Sequence, residues 1–99
     1  MLTTLEKIKK LVEEIQQYLK EDKQVMVVVK TRKEADYLAF IFLQMDILAV
    51  SCHGLRRPWQ KAEICSDFNR KKYNIVFSTP IISMYTLHAD VILHFDMYI

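Results

Sequence analysis

The chain has 99 residues, of which 52% are hydrophobic and 26% are charged, so it is long enough for one folded domain and does not have the composition of a disordered segment. Its formal charge of +2 permits a nucleic-acid partner but is too small to indicate one by itself. The two cysteines lack a C-x-x-C spacing, which argues against a zinc site and favours a reduced protein. No apolar run approaches the about 20 residues of a membrane span. The first residues have no signal-peptide pattern, so we expect a cytoplasmic rather than a secreted protein.

The first half of the chain predicts a helix, a buried strand and a second helix. Residues Thr3 to Glu6 have the capping-box pattern, and the apolar residues after them recur at helical spacing as far as Lys20, so residues 1–22 form a lead-in helix. The run Val25–Val29 is typical of a strand that is covered on both faces. Thr31 precedes Glu34 by three residues and predicts the start of the second helix.

The second half continues the alternation of strands and helices. A short buried strand is predicted from Ile47 to Ser51, and a helix from Pro58 to Lys72. Two further strands are predicted at Ile75–Phe77 and Val91–Leu93. Buried strands that alternate with helices imply an α/β fold, a single domain with a mainly parallel sheet and helices on both faces.

Polar and basic residues follow the predicted strands at the edge where parallel sheets bind ligands. They lie in the segments Lys30–Lys33, Cys52–Arg57 and Ser78–Pro80. Helix N-termini, hydroxyls and cations together predict a strip that contacts phosphates, and Gly54 would let a phosphate approach the backbone. On the residues alone a second interpretation stays open, in which Gly54 only supplies a turn and the cations form a solvated rim.

Three motifs in order resemble the second RecA-like domain of the DEAD-box RNA helicases, usually called the helicase C-terminal domain. They are Val25–Val29 with Thr31, then His53-Gly54, then Tyr73–Thr79, and the resemblance covers residues 23–96. It implies a RecA-like fold, contacts with single-stranded RNA phosphates, and one half of an ATP site completed by a first RecA-like domain. With the cations at the strand ends, the expected RNA-binding residues are Lys30, Thr31, Arg32, His53, Gly54, Arg56, Arg57 and Thr79.

The motifs that serve nucleotide turnover in that family are eroded here. After His-Gly the family has an acidic residue, a Gln and an Arg, where this chain has Leu55, Pro58 and Lys61. Its His-Arg-x-Gly-Arg element would follow Asp96, so we expect residues 1–99 to be a domain truncated before the final motif. The chain has neither a G-x-x-x-x-G-K-S/T loop nor an Asp-Glu pair. We therefore expect no catalytic residue, metal or cofactor in this fragment, whereas an intact helicase parent would use ATP and Mg²⁺.

Apolar residues stand where the family has charge and glycine. The run after Pro80 lacks the Arg-Gly and the aspartates of the family, and Trp59 lies close to the same edge. The predicted interface residues are Trp59, Ile81, Ile82, Met84 and Tyr85. Inward packing is the alternative, but an apolar patch that faces solvent marks a protein contact, and a two-fold homodimer is the commonest product.

These observations predict a non-catalytic helicase C-terminal-like domain that associates with itself or with another protein, binds RNA weakly and does not contact a membrane. The erosion is similar to that of the helicase-like domains joined to Tudor domains in RNA-silencing proteins of the piRNA pathway, which implies a cytoplasmic, RNA-granule setting. Two alternatives stay open. One is the second half of an active ATP-dependent DEAD-box RNA helicase, and the other is a simple RNA-binding module.

Overall fold

Of the three helices in the described part of the chain, two begin at threonine caps, as the sequence predicts. The computed structural model describes residues 3–52, 58–79 and 89–95. Helix α1 spans Thr4–Lys20, α2 spans Arg32–Gln44, and α3 spans Pro58–Asn69. The hydroxyl of Thr3 accepts a hydrogen bond from the Glu6 amide at 3.2 Å, and Thr31 does the same for Glu34 at 3.2 Å. Each bond satisfies a first-turn amide that has no partner within the helix.

Each helix in the described ranges is followed, two positions after its last residue, by a residue with left-handed backbone, and none of these residues is glycine. They are Asp22, Asp46 and Lys71, with φ of 57°, 60° and 65°. The next amide then donates to the carbonyl five positions earlier, as Lys23 does to Tyr18 at 3.1 Å, and the same bond follows the other two ends. This Schellman arrangement satisfies carbonyls of the last turn, which offsets the steric cost of a Cβ in the left-handed region.

Among the residues that the structure describes, four short strands form one parallel sheet in the order β2-β3-β1-β4. They are β1 (Val25–Val28), β2 (Ala49–Cys52), β3 (Ile75–Ser78) and β4 (Val91–His94). Strands β3 and β4 both pair with β1, and β2 pairs with β3, so that the last residues of the four strands lie level with one another. The predicted α/β class and parallel sheet are confirmed.

Helices cover both faces of the sheet, as predicted. Helices α1 and α2 pack on one face, where Leu11 and Phe42 belong to the same buried cluster as Val27. Helix α3 packs on the other face, where Phe68 joins a second buried cluster with Met26. Successive residues of β1 therefore face different helices, which explains why this strand has no polar position. No helix in the described ranges is long and apolar enough to cross a membrane.

Several predicted boundaries were shifted, and two of these shifts come from helix ends. The second strand begins at Ala49 rather than Ile47, because the Ile47 amide closes the end of α2 by donating to Phe42 at 3.1 Å. The third helix ends at Asn69 rather than Lys72, because Lys71 takes the left-handed conformation. The apolar Ile47 made the predicted strand too long at its start, and the charged residues after Asn69 made the predicted helix too long at its end. In both places the backbone hydrogen bonds that close a helix determine the true boundary.

The Gln24 side chain connects the start of β1 to the end of α3, which yields a stability prediction. Its amide nitrogen donates to the carbonyl oxygens of Phe68 and, at 3.0 Å, of Tyr73. Replacing Gln24 with leucine removes both bonds. The Phe68 carbonyl still accepts from the Lys71 amide at 2.9 Å, whereas the partly buried Tyr73 carbonyl loses the Gln24 donor, so we expect the free energy of unfolding to fall by about 1–3 kcal/mol in urea titrations. The matched control is Gln17→Leu on the exposed side of α1, which should change it by less than about 0.5 kcal/mol. Equal effects of the two changes would contradict the role of Gln24.

Candidate nucleic-acid interface

The strand ends bring two of the predicted RNA-binding threonines to the same edge of the sheet. Beyond the last paired residues, the Val29 amide donates to Ser78 at 2.9 Å and the Thr79 amide donates to Cys52 at 3.3 Å. Pairing thus continues one residue past the strands, and Thr31 follows two residues after Val29. The carboxyl edge of this sheet therefore carries both Thr31 and Thr79, as a parallel sheet requires.

Basic side chains surround the start of α2 at this edge. Lys30, Arg32 and Lys33 are exposed, and Thr31 between them caps the helix. The N-terminal amides of a helix carry a partial positive charge, so the cations and the helix end favour the same sign of ligand. This arrangement can hold a phosphate or another anion at the surface.

Thr79 lies beneath the edge rather than on it. It is 5% exposed, and its hydroxyl has no hydrogen-bond partner in the described part of the structure. An unpaired buried hydroxyl costs about 1–3 kcal/mol, and such groups are rare enough to need an explanation. The neighbouring Ser78 hydroxyl does not satisfy it, because that group donates to the Thr79 carbonyl at 2.9 Å. The hydroxyl of Thr79 is therefore a donor and acceptor that a ligand could use only by approaching closely.

A cleft of about 300 Å³ opens between α1 and α2 at the same edge. Its lining includes Lys7, Lys30, Glu34 and Tyr37, together with the apolar Leu38 and Phe95. The volume is at the lower end of the range for small-ligand sites, about 300–1,000 Å³. Sequence reasoning identified Lys30 but missed Lys7 and Tyr37, because these residues lie on different helices and no spacing in the chain links them.

Trp59, the predicted interface residue that the structure describes, lies on the first turn of α3 and is 62% exposed. It borders a shallow cleft of about 220 Å³ with Val50, Ile64 and Tyr73. An indole in this position can contact a partner, and its role stays a prediction.

The other predicted site residues lie outside the described residues. They are His53, Gly54, Arg56 and Arg57 of the RNA strip and Ile81, Ile82, Met84 and Tyr85 of the apolar patch. Their roles also stay predictions.

Comparisons with known proteins identify the class of this fold. The model of the helicase conserved C-terminal domain matches residues 6–98, so the chain belongs to that family. The structure is similar to the crystal structure of the Pyrococcus furiosus Hef helicase domain, with a TM-score of 0.80 and 19% sequence identity over 91% of this chain and 20% of that chain. The likeness confirms the predicted RecA-like fold, and this chain spans about one fifth of the length of its relative. No curated protein matches the sequence.

Proposed function

We propose that this helicase C-terminal domain works by association and not by turnover of ATP. It binds a second copy of itself or another protein, and it contacts single-stranded RNA weakly along the carboxyl edge. Its setting is an RNA-processing protein of the cytoplasm, of DEAD-box descent and of the Tudor-linked kind that acts in the piRNA pathway. The proposal rests on the large apolar side chains that are exposed to solvent on the helices of both faces of the sheet.

The exposed aromatic residues in the described part of the chain lie on two separate surfaces. Trp59 on α3 is 62% exposed, and on α2 Tyr37 and Phe40 are 57% and 59% exposed. Single exposed apolar residues are ordinary, but aromatic residues are enriched where proteins bind each other and supply many of the residues that dominate binding. Exposed aromatics on both helical layers are best explained by partners that cover them.

The RNA contact is supported by a smaller set of groups and is therefore weak. Lys30, Arg32 and Lys33 are the exposed cations around the cap at Thr31. Each contact between a cation and a phosphate of the single strand adds to the binding affinity, and this contribution becomes smaller as the salt concentration rises. Three such contacts therefore make a site of modest affinity at physiological salt. In the described part of this edge the groups are cations and helix amides, which contact phosphates, so we expect the contact to be independent of sequence.

The residues present do not fit ATP and Mg²⁺. The sequence has no phosphate-cradling loop and no Asp-Glu pair. At the described edge the acidic residue is Glu34, which accepts a hydrogen bond from the Thr31 hydroxyl at 3.4 Å as part of the helix cap. A catalytic parent would have to supply the nucleotide-binding groups from other parts of its chain.

Self-association is tested by the mass of the protein in solution. We expect light scattering to give a weight-average mass that rises from monomer towards dimer as the concentration increases to about 100 µM, because a micromolar dissociation constant is typical of such contacts. The same samples should show no hydrolysis of ATP with or without RNA. A strict monomer over the whole range would overturn self-association, and hydrolysis would favour the helicase alternative.

A further inference from the structure

The side of helix α2 that faces away from the sheet carries large apolar residues beside the exposed polar residues Lys33, Asp36 and Gln44. Its inner side packs in the core through Leu38 and Phe42, which are almost fully buried. Its outer side carries Tyr37, Phe40 and Leu43 at intervals of three residues, and they are 57%, 59% and 47% exposed. A helix at the surface of a monomer normally has polar residues on this side. The outer face of α2 therefore exposes large apolar side chains to solvent, which favours a partner that buries them.

The size of this face suits a contact between two copies of the chain. Met45 and Leu48 lie just beyond the last turn of α2 and are also exposed. An aromatic side chain can bury about 150–250 Å², and about half of each of these side chains is exposed. The exposed parts of the five residues therefore offer roughly 500 Å² per copy. The five are Tyr37, Phe40, Leu43, Met45 and Leu48. Two copies would bury about 1,000 Å², which is the lower limit for a specific interface.

The charges at the two ends of the face complement each other in an antiparallel arrangement. Exposed Lys33 lies on the first turn of α2, and exposed Asp46 follows its last turn. If two copies of α2 cross antiparallel about Phe40, Tyr37 lies opposite Leu43 of the second copy. The same register places Lys33 beside Asp46 of the second copy, twice per dimer. A parallel arrangement would instead bring like charges together.

We propose that the outer face of α2 is the self-association surface, with a second copy of this chain packed antiparallel across it and Phe40 at the two-fold axis. This inference rests on the proposed function, and it assigns self-association to α2 while Trp59 on α3 is left for a different contact. Isologous contacts of this kind are the commonest way in which identical chains pair.

The first experiment compares Phe40→Glu with Trp59→Glu by sedimentation and light scattering. Both residues are about equally exposed, at 59% and 62%, so both variants keep the core intact, which circular dichroism verifies. Phe40→Glu should raise the dimer dissociation constant by at least tenfold, because two carboxylates would meet at the axis, and Trp59→Glu should leave it within about twofold. Dimers that persist in Phe40→Glu but are lost in Trp59→Glu would overturn the surface and keep the proposed function. A monomeric wild type would overturn both this surface and the self-association on which it rests.

The second experiment tests the antiparallel register by reversing charges. Lys33→Glu and Asp46→Lys should each weaken the dimer by about three- to tenfold, since each change places like charges together at two symmetric points. Lysine is tolerated in the conformation of Asp46, because Lys71 has φ of 65° at the equivalent end of α3. The double variant Lys33→Glu/Asp46→Lys restores opposite charges and should dimerise within about twofold of wild type. A double variant as weak as the sum of the two single changes would contradict the register.

Discussion

Replacing Phe42 with alanine should lower the free energy of unfolding by about 3–5 kcal/mol, the usual cost of deleting a buried aromatic ring. Phe42 has no exposed surface and lies in the cluster between α2 and the sheet. Its ring contacts that of Phe77, with the centroids 5.3 Å apart. A small domain has a total stability of only about 5–15 kcal/mol. The variant should therefore be partly unfolded near physiological temperature.

The matched control for this prediction lies two positions away on the same helix. Phe40→Ala removes an identical ring from the exposed side of α2, and at concentrations where the protein is monomeric we expect a change within about 0.5 kcal/mol. Urea titrations followed by circular dichroism measure both variants, and Phe42→Leu provides a milder change if the alanine variant does not fold. Similar losses at Phe40 and Phe42 would mean that α2 does not face the sheet as described.

Reversing the charges of Lys30 and Arg32 should weaken the binding of single-stranded RNA by at least tenfold. Each contributes a phosphate contact, so the double variant Lys30→Glu/Arg32→Glu should also lower the slope of log affinity against log salt by about 1.4. The measurement is a fluorescence titration with a labelled oligonucleotide at two or more salt concentrations.

A control with the same change in net charge separates a site from general attraction. Lys9→Glu/Lys10→Glu alters two exposed lysines of α1 by the same four units of charge, and it should affect affinity much less than the change at the edge. Equal losses in the two double variants would indicate non-specific attraction by the whole molecule. No loss in either would leave the edge cations as a solvated rim.

The parts of the fold that were predictable depend on local signals. The cap at Thr31 and the buried run of β1 are encoded within a few residues, and the order of strands and helices then limits the topology. The start of β2 was misplaced because Ile47 is apolar yet serves to end α2. A hydrophobicity pattern cannot distinguish a residue that closes a helix from one that begins a strand.

The candidate site was predictable only where the sheet alone determines position. The convergence of Thr31 and Thr79 follows from parallel strands that end level. The burial of the Thr79 hydroxyl does not, because it depends on neighbouring strands. The outer face of α2 was also missed. The spacing of Ala35, Leu38 and Phe42 indicates the side that faces the core, but it gives no reason for the exposed Phe40.

The three helix ends set a limit on the heat tolerance of this domain. Asp22, Asp46 and Lys71 each hold a backbone shape that disfavours a side chain by about 1–2 kcal/mol, and the chain's one glycine is spent at position 54. Together the three positions cost about 3–6 kcal/mol before the capping hydrogen bonds offset them, against a net stability of about 5–15 kcal/mol for a small protein. Replacing Asp22 or Lys71 with glycine would therefore remove this steric cost and raise the stability of the domain to heat, without any change in the packed interior.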